Sequence, residues 1–140
     1  MDKKKYNLFL DDDPRRIPHQ LPWISLPNVE WVIVRNYNEF IEIITKEGLP
    51  EVISFDHDLD QTAYDEYFRA ESTDHIINYN NIKEKTGYHT AKWLANHCIT
   101  NNIDIPQYYI HTRNSYGHMN IFFILETARK IINKNAKDKV

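Results

Sequence analysis

The chain has 140 residues, of which 41% are hydrophobic and 26% charged, and its formal net charge is -3 at neutral pH. This composition predicts one soluble globular domain over residues 1–140 and excludes the basic surface that duplex DNA binding requires. The first apolar stretch, Leu8 to Leu10, is too short for a signal peptide, no segment has membrane-spanning length, and the single Cys98 forms no intrachain disulfide, so we expect a cytoplasmic protein.

The first third of the chain predicts two strands joined by irregular backbone. An apolar run predicts a strand over Tyr6 to Leu10, which ends abruptly in three aspartates. Four prolines between residues 14 and 27 exclude a long helix, because each proline removes an amide donor and fixes φ. The next apolar run predicts a strand over Val29 to Val34, and Asn38 is a good N-cap for a helix that stops at Gly48.

The remainder of the chain alternates strands with helices. Val52 to Phe55 predicts a third strand, and residues 60–85, which are polar and without a clear period, predict an inserted loop or a short irregular helix. A helix is expected from Gly87 to about Asn101, then a fourth strand from Gln107 to His111. Asn114 or Ser115 would cap a last helix, in which apolar residues recur at helical spacing.

This order of elements predicts a small three-layer α/β fold with a doubly wound, mostly parallel sheet of four strands. In such sheets, ligands bind beyond the carboxyl ends of the strands. Aspartates follow the first and third strands, so at least four carboxylates would crowd one volume if those strands are neighbours. Carboxylates that close need a bound cation or strongly raised pKa values.

The motifs resemble those of the cyclic-phosphate processing receiver domain family. Acids after the first strand, Asp56 after the third and Thr112 after the fourth match the general layout of response-regulator receivers. The closer resemblance lies in four blocks: Leu8 to Arg15, Ser54 to Leu59, Thr86 to Leu94, and Ile110 to Asn114 with Gly117 and Asn120. It implies a receiver-like, flavodoxin-like fold that binds a divalent cation and acts on a cyclic phosphate. Receivers also have a helix after the first strand and a fifth strand that ends in a lysine, and neither is predicted here.

Candidate roles follow from this resemblance together with the chemistry of the side chains. The candidate ligands of a divalent cation, Mg²⁺ or alternatively Mn²⁺, are Asp11, Asp12, Asp13, Asp56 and Asp58. The candidate catalytic residues are Asp56, as a nucleophile, and His57 and His111, as a general acid and base. The candidate phosphate-binding residues are Arg15, Thr112, Arg113, Asn114 and Asn120, with Arg16 as an alternative to Arg15.

We therefore expect a metal-dependent phosphoesterase whose partner is a phosphate-bearing small molecule or an RNA end, such as a 2′,3′-cyclic RNA end or a cyclic nucleotide. Either Asp56 attacks phosphorus, or water attacks directly with the help of the cation. Two other functions stay open: a signalling receiver that accepts phosphoryl at Asp56, and a module that binds a phosphorylated ligand without catalysis. His111 also fits a hydrogen-bonded core histidine, and the aromatic residues of segment 60–85 fit either a plain loop or a lid that stacks a base.

Overall fold

The computed structural model describes residues 5–138, so both ends of the predicted 1–140 domain lie outside the described residues. Its strands are β1 (Asn7–Leu10), β2 (Val32–Val34), β3 (Val52–Phe55) and β4 (Gln107–Ile110). Its helices are α1 (Tyr37–Glu47), α2 (Gln61–Glu71), α3 (Gly87–Asn101) and α4 (Ser115–Asp138), with short 3₁₀ turns at Pro18–Gln20 and Tyr79–Asn81. All strand pairs are parallel in the order β2-β1-β3-β4, which is the order of the first four strands of a flavodoxin-like sheet. The predicted receiver-like α/β fold is confirmed.

The hydrophobic core lies between one face of the sheet and helices α1, α3 and α4. Leu8, Leu10, Ile53 and Phe55 point to this face and are fully buried. Apolar side chains on the inner stripes of the three helices complete the core, among them Phe40, Ile44, Ala91, Leu94, Ile121 and Leu125. The short central strands are apolar because parallel strands are covered on both faces.

The proline-rich segment covers the other face of the sheet in place of a helix. Phe9, on this face, is fully buried and contacts Trp31 edge to face, with ring centroids 6.2 Å apart. Trp23 Nε1 donates a hydrogen bond of 2.7 Å to the carbonyl oxygen of His111 at the end of β4. The third layer is therefore irregular backbone with one 3₁₀ turn, as the prolines predict.

Two predicted elements have boundaries that differ from the structure. The N-cap of α1 is Asn36, whose side chain accepts from the amide of Glu39, so the helix begins before Asn38. The predicted second strand is longer than β2, which pairs over Val32–Val34 only. Its apolar run indicated a buried strand, but β2 is the edge of the sheet, and Val32 is 39% exposed. Edge strands are often short, and the paired part of β2 is accordingly shorter than its apolar run.

The prediction of an inserted loop or short irregular helix over residues 60–85 is wrong for its first half. Residues 61–71 form the regular 11-residue helix α2, which Asp60 caps by accepting a hydrogen bond of 3.1 Å from the amide of Ala63. The helix buries Ala63, Glu66 and Ala70. Because its inward residues are small or charged, α2 lacks the large apolar stripe that marks a helix in sequence.

Within residues 5–138, no helix combines the length and apolar character needed to span a bilayer.

Candidate functional site

The residues that directly follow β1, β3 and β4 form a row across the sheet. The parallel register aligns the last residues of these strands, so the next residue of each strand stands beside the others. These three residues are Asp11, Asp56 and His111, and the amides of Asp56 and His111 continue the ladder by donating to Leu10 O (3.0 Å) and Phe55 O (2.9 Å). Alternate side chains of a strand point to opposite faces, so all three point to the face under the proline-rich segment.

The side chains of this row could hold a metal ion. Asp11, Asp56 and His111 are buried, and one potential ligand atom from each lies within 4.8 Å of the others. Carboxylate oxygens and an imidazole nitrogen are common ligands of divalent cations. We call these three residues the carboxylate–histidine row.

Arg16 supplies positive charge to the row. Its Nη1 lies 3.3 Å from Asp11 Oδ2 and 3.5 Å from Asp56 Oδ2, and its side chain is only 21% exposed. Burial raises the pKa of Asp56 well above its ordinary value, the neighbouring charge of Asp11 raises it further, and Arg16 opposes both effects. The two carboxylates of the row thus share the positive charge of the Arg16 guanidinium.

The ring of His111 is oriented by contacts on every side. Its Nδ1 lies 2.7 Å from Ser54 Oγ, its Nε2 lies 3.0 Å from Asp11 Oδ2, and it stacks on Phe9 with a centroid distance of 4.4 Å. Burial lowers the pKa of His111, although the hydrogen bond and charge of Asp11 partly offset this effect. In a metal-binding histidine, the nitrogen that does not bind the metal donates to a polar partner, and Ser54 Oγ fits that role for Nδ1 of His111.

Asp12 and Asp13 differ from Asp11 in their surroundings. Asp12 Oδ1 is buried, and no donor among residues 5–138 reaches it. Burial, followed by the charge of Asp11, raises the pKa of Asp12 to about 6. Asp13 instead binds the exposed guanidinium of Arg15 at 3.0 Å, and this hydrogen bonding lowers the pKa of Asp13 to about 2. An orphaned buried carboxylate oxygen beside the row is a second indication that a cation belongs here.

Asp58 belongs to a separate buried network. Its Oδ1 lies 2.6 Å from His57 Nδ1 and accepts a hydrogen bond of 2.9 Å from Asn114 Nδ2. Tyr79 OH accepts from Asn120 Nδ2 at 2.9 Å and lies 2.9 Å from His57 Nε2. The tyrosine hydroxyl proton therefore points to Nε2, which leaves the Nδ1 proton of His57 for Asp58. His57 is fully buried, so it contacts Asp58 from the interior of the protein.

Two glycines let helices α3 and α4 approach this network. A Cβ atom at Gly117 would lie 2.3 Å from Cγ of His57, and one at Gly87 would lie 1.7 Å from the carbonyl oxygen of Asp56. Asn114 caps α4 by accepting from the amide of Gly117 at 2.9 Å. The ring of His57 therefore fills the space that a larger residue at position 117 would need.

A cavity of about 290 Å³ opens beside the carboxylates of Asp56 and Asp58. Its lining residues are Arg16, Asp56, Asp58, Tyr64, Tyr67, Phe68, Thr112, Arg113 and Asn114. The guanidinium of Arg113 lies 5.2 Å from the ring centroid of Trp23, and that of Arg16 lies 5.5 Å from it. The lining thus combines charged side chains with the aromatic rings of α2. A groove of about 990 Å³ at the β2 edge is larger, but its lining residues do not include the row.

The family model described as "Cyclic-phosphate processing Receiver domain" matches residues 6–127 of this chain. The chain belongs to the cyclic-phosphate processing receiver domain family. The match spans the sheet, the carboxylate–histidine row and the first half of α4. No curated protein and no solved structure matches the chain.

In this cyclic-phosphate processing receiver domain, some predicted site residues converge and others do not. Asp56, Asp58, Thr112, Arg113 and Asn114 line one cavity, as a common site requires. Arg15 points away to Asp13, and Asn120 contacts Tyr79 on the far side of His57. The rings of His57 and His111 are buried behind the aspartates, so their positions do not favour the expected contact with substrate.

Sequence reasoning gave little weight to Arg16 and missed Ser54 and Trp23. Ser54 was detectable, since a polar residue two positions before Asp56 in an apolar strand faces the same side. Arg16 and Trp23 lie in irregular backbone, where no periodicity indicates the direction of a side chain. Tyr79 lies beyond α2 in segment 60–85, whose aromatic residues fit either a plain loop or a lid in the sequence analysis.

Proposed function

We propose that this chain is a metal-dependent phosphoesterase that opens a cyclic phosphate, either a 2′,3′-cyclic RNA end or a cyclic nucleotide. The observation that carries the proposal is the carboxylate–histidine row, whose Asp56 lines a cavity together with Arg16 and Arg113. Metal ligands and phosphate-binding guanidinium groups at one small cavity are the parts that phosphoryl chemistry requires. Its partner would be a phosphate-bearing small molecule or an RNA end.

Asp11, Asp56 and His111 would hold the cation, with the orphaned oxygen of Asp12 close by. The carboxylates suit Mg²⁺ and Mn²⁺ alike, whereas the imidazole favours Mn²⁺ because Mg²⁺ prefers oxygen ligands. When bound, the cation neutralises phosphate charge and makes phosphorus more electrophilic.

The phosphate group would lie between Arg16, Arg113 and the hydroxyl of Thr112. All three residues line the cavity, and a guanidinium forks onto two phosphate oxygens with matching geometry. Trp23 contacts both guanidinium groups and limits their orientations. This arrangement would hold the cyclic ester with phosphorus next to Asp58.

Asp58 would carry the proton during hydrolysis. Water attacks phosphorus, one phosphorus–oxygen bond forms, and Asp58 takes the proton that the water loses. The ring phosphorus–oxygen bond breaks, and the same proton passes to the oxygen that leaves, so the product is an open monoester. His57 positions Asp58 through its Nδ1 proton, and Tyr79 in turn positions His57.

The test is turnover of a substrate panel by protein stripped of metal and then titrated with Mn²⁺ or Mg²⁺. The panel contains nucleoside 2′,3′-cyclic phosphates, an RNA with a 2′,3′-cyclic end and 3′,5′-cyclic nucleotides. Asp58→Asn should lower turnover by roughly 10²–10⁴-fold and keep metal binding. Asp56→Ala should lose both properties.

Asp13→Asn is the matched control, since Asp13 is bound to Arg15 outside the row. It should leave turnover unchanged. Absence of turnover with every substrate and metal would refute the proposal. A stable beryllofluoride adduct at Asp56 without turnover would instead support a phosphoryl-accepting receiver, and tight nucleotide binding without product would support a binding module.

A further inference from the structure

Helix α2 presents an aromatic face to the cavity. Tyr64, Tyr67 and Phe68 are spaced i, i+3 and i+4, so they lie on one side of the helix, and all three line the cavity. The inward side of the same helix carries Ala63, Glu66 and Ala70. The fully buried positions of α2 are therefore separate from its aromatic face.

Phe68 is poorly explained as a packing residue. Its side chain is 65% exposed, and its ring contact is with Tyr67, at a centroid distance of 5.6 Å. Tyr67 also contacts Tyr116 of α4, with ring centroids 5.8 Å apart. Aromatic rings that border a cavity also lined by charged groups favour a ligand with both an apolar plane and a charge.

Polar contacts hold the aromatic face in place. Glu66 is 2% exposed, and its carboxylate accepts from Arg69 at 2.7 Å, from the amide of Asn78 at 2.7 Å and from Asn81 Nδ2 at 2.8 Å. These bonds join α2 to the segment that carries Tyr79. The aromatic face is thus preorganised rather than a loose lid.

We propose that the aromatic face of α2 is a nucleobase subsite, so the substrate is a single nucleotide unit with its cyclic phosphate at the aspartate end. This inference rests on the proposed function, because the cation and the arginines are what place the phosphate. Aromatic side chains bind bases by stacking, whatever the base. The volume of about 290 Å³ lies at the lower limit of ligand cavities, which suits one unpaired nucleotide and not a base-paired end.

The experiment compares ligands with and without a base. The ligands are adenosine and cytidine 2′,3′-cyclic phosphate and the base-free glycerol 1,2-cyclic phosphate. Their dissociation constants are measured in the Asp58→Asn background with Mn²⁺, and their kcat/KM values with Asp58 intact. Phe68→Ala should weaken binding of both nucleotides by roughly 5- to 150-fold and leave the base-free ester unchanged. Phe68→Trp should keep the affinity for the nucleotides.

Phe123→Ala is the matched control, since Phe123 is 59% exposed on α4 and lines another cavity. It should change neither ligand class. The subsite is refuted if Phe68→Ala binds nucleotides like the unsubstituted chain, or if the base-free ester reacts with a kcat/KM equal to that of the nucleotides. The latter result would contradict the nucleobase subsite but not the proposed phosphoesterase activity. Phe68-dependent nucleotide binding without turnover of any ester would support the subsite and contradict the phosphoesterase activity.

Discussion

Arg16 and Arg15 are adjacent in sequence but differ in what they bind. Arg16 lies beside Asp11 and Asp56, whereas Arg15 pairs with Asp13 and has a side chain that is 88% exposed. A divalent cation bound between the two buried carboxylates would repel the guanidinium of Arg16 and direct it towards the phosphate. Arg16 would then serve as counter-ion in one state and phosphate ligand in the other.

Arg16→Ala should therefore tighten Mn²⁺ binding by at least roughly tenfold, because like charges about 4 Å apart near a protein surface repel by several kcal/mol. The same variant should lower turnover, since the phosphate loses one ligand. Titration calorimetry with Mn²⁺ measures the first effect without reliance on activity. Arg15→Ala is the control and should bind Mn²⁺ as the unsubstituted chain does. Weaker Mn²⁺ binding by Arg16→Ala would show that the guanidinium does not compete with the cation.

At the scale of elements, the start of α4 is built around His57. The helix begins with Asn114 as its cap and reaches Gly117 within its first turn, directly against the imidazole ring. The capping amide of Asn114 also binds Asp58. One helix terminus thus sets the positions of the histidine and of the carboxylate that faces the cavity.

Gly117→Ala should lower the free energy of unfolding by about 1–3 kcal/mol, because the new methyl group would overlap the ring of His57. His57→Ala removes the ring and with it the overlap. In a double-mutant cycle, measured by urea unfolding, the double variant should therefore be more stable than the sum of the single effects predicts. Additive effects would mean that the overlap with the ring of His57 does not cause the loss of stability in Gly117→Ala.

The sequence predicted elements well where a long periodic pattern or a clear cap was present. The last helix and the one that begins at Gly87 were predicted because apolar residues recur along them and Thr86 or Asn114 caps them. Helix α2 was not, because its buried positions include Glu66, whose partners are Arg69 one turn along the same helix and Asn78 and Asn81 beyond it. A buried charge with tertiary partners leaves no hydrophobic signal.

At the scale of the whole molecule, the buried carboxylates make stability depend on pH and on cations. The pKa of Asp12 is raised to about 6, and that of Asp56 is raised well above its ordinary value. In the unfolded chain, both groups lose their protons near pH 3.9. The folded state holds protons that the unfolded state has lost, so the stabilisation is complete below about pH 4. The part that Asp12 contributes disappears as pH rises through about 6, and the part that Asp56 contributes disappears as pH rises through its own raised pKa.

Asp12→Asn should accordingly increase the free energy of unfolding at pH 7.5 in EDTA by about 1–2 kcal/mol, after allowance for partial exposure of the group. Mn²⁺ at a hundred times its dissociation constant should stabilise the unsubstituted chain by about 2.7 kcal/mol. Urea unfolding between pH 4.5 and 8, with EDTA or Mn²⁺, measures both. Asp13→Asn is the control, since Arg15 lowers the pKa of Asp13 to about 2, below this window. An unchanged pH slope in Asp12→Asn would contradict the assignment.

The sequence alone determined the class of fold and the edge at which the site lies. Apolar runs that end in Asp11 and Asp56 mark the carboxyl ends of buried strands, and parallel strands bring those ends to one edge whatever the details of packing. The local pattern carries this information because strand burial and chain direction are properties of short segments.

Only the tertiary structure decided which neighbours act together. It grouped Asp11 with Asp56 and His111, because the register of three strands aligns them, and it separated Asp58 into the network of His57. It also places Arg16, and not Arg15, beside the carboxylates, since the direction of a side chain in irregular backbone depends on the chain that packs over it. Alignment across strands and orientation in a coil are set by contacts between residues far apart in sequence, and no local pattern encodes them.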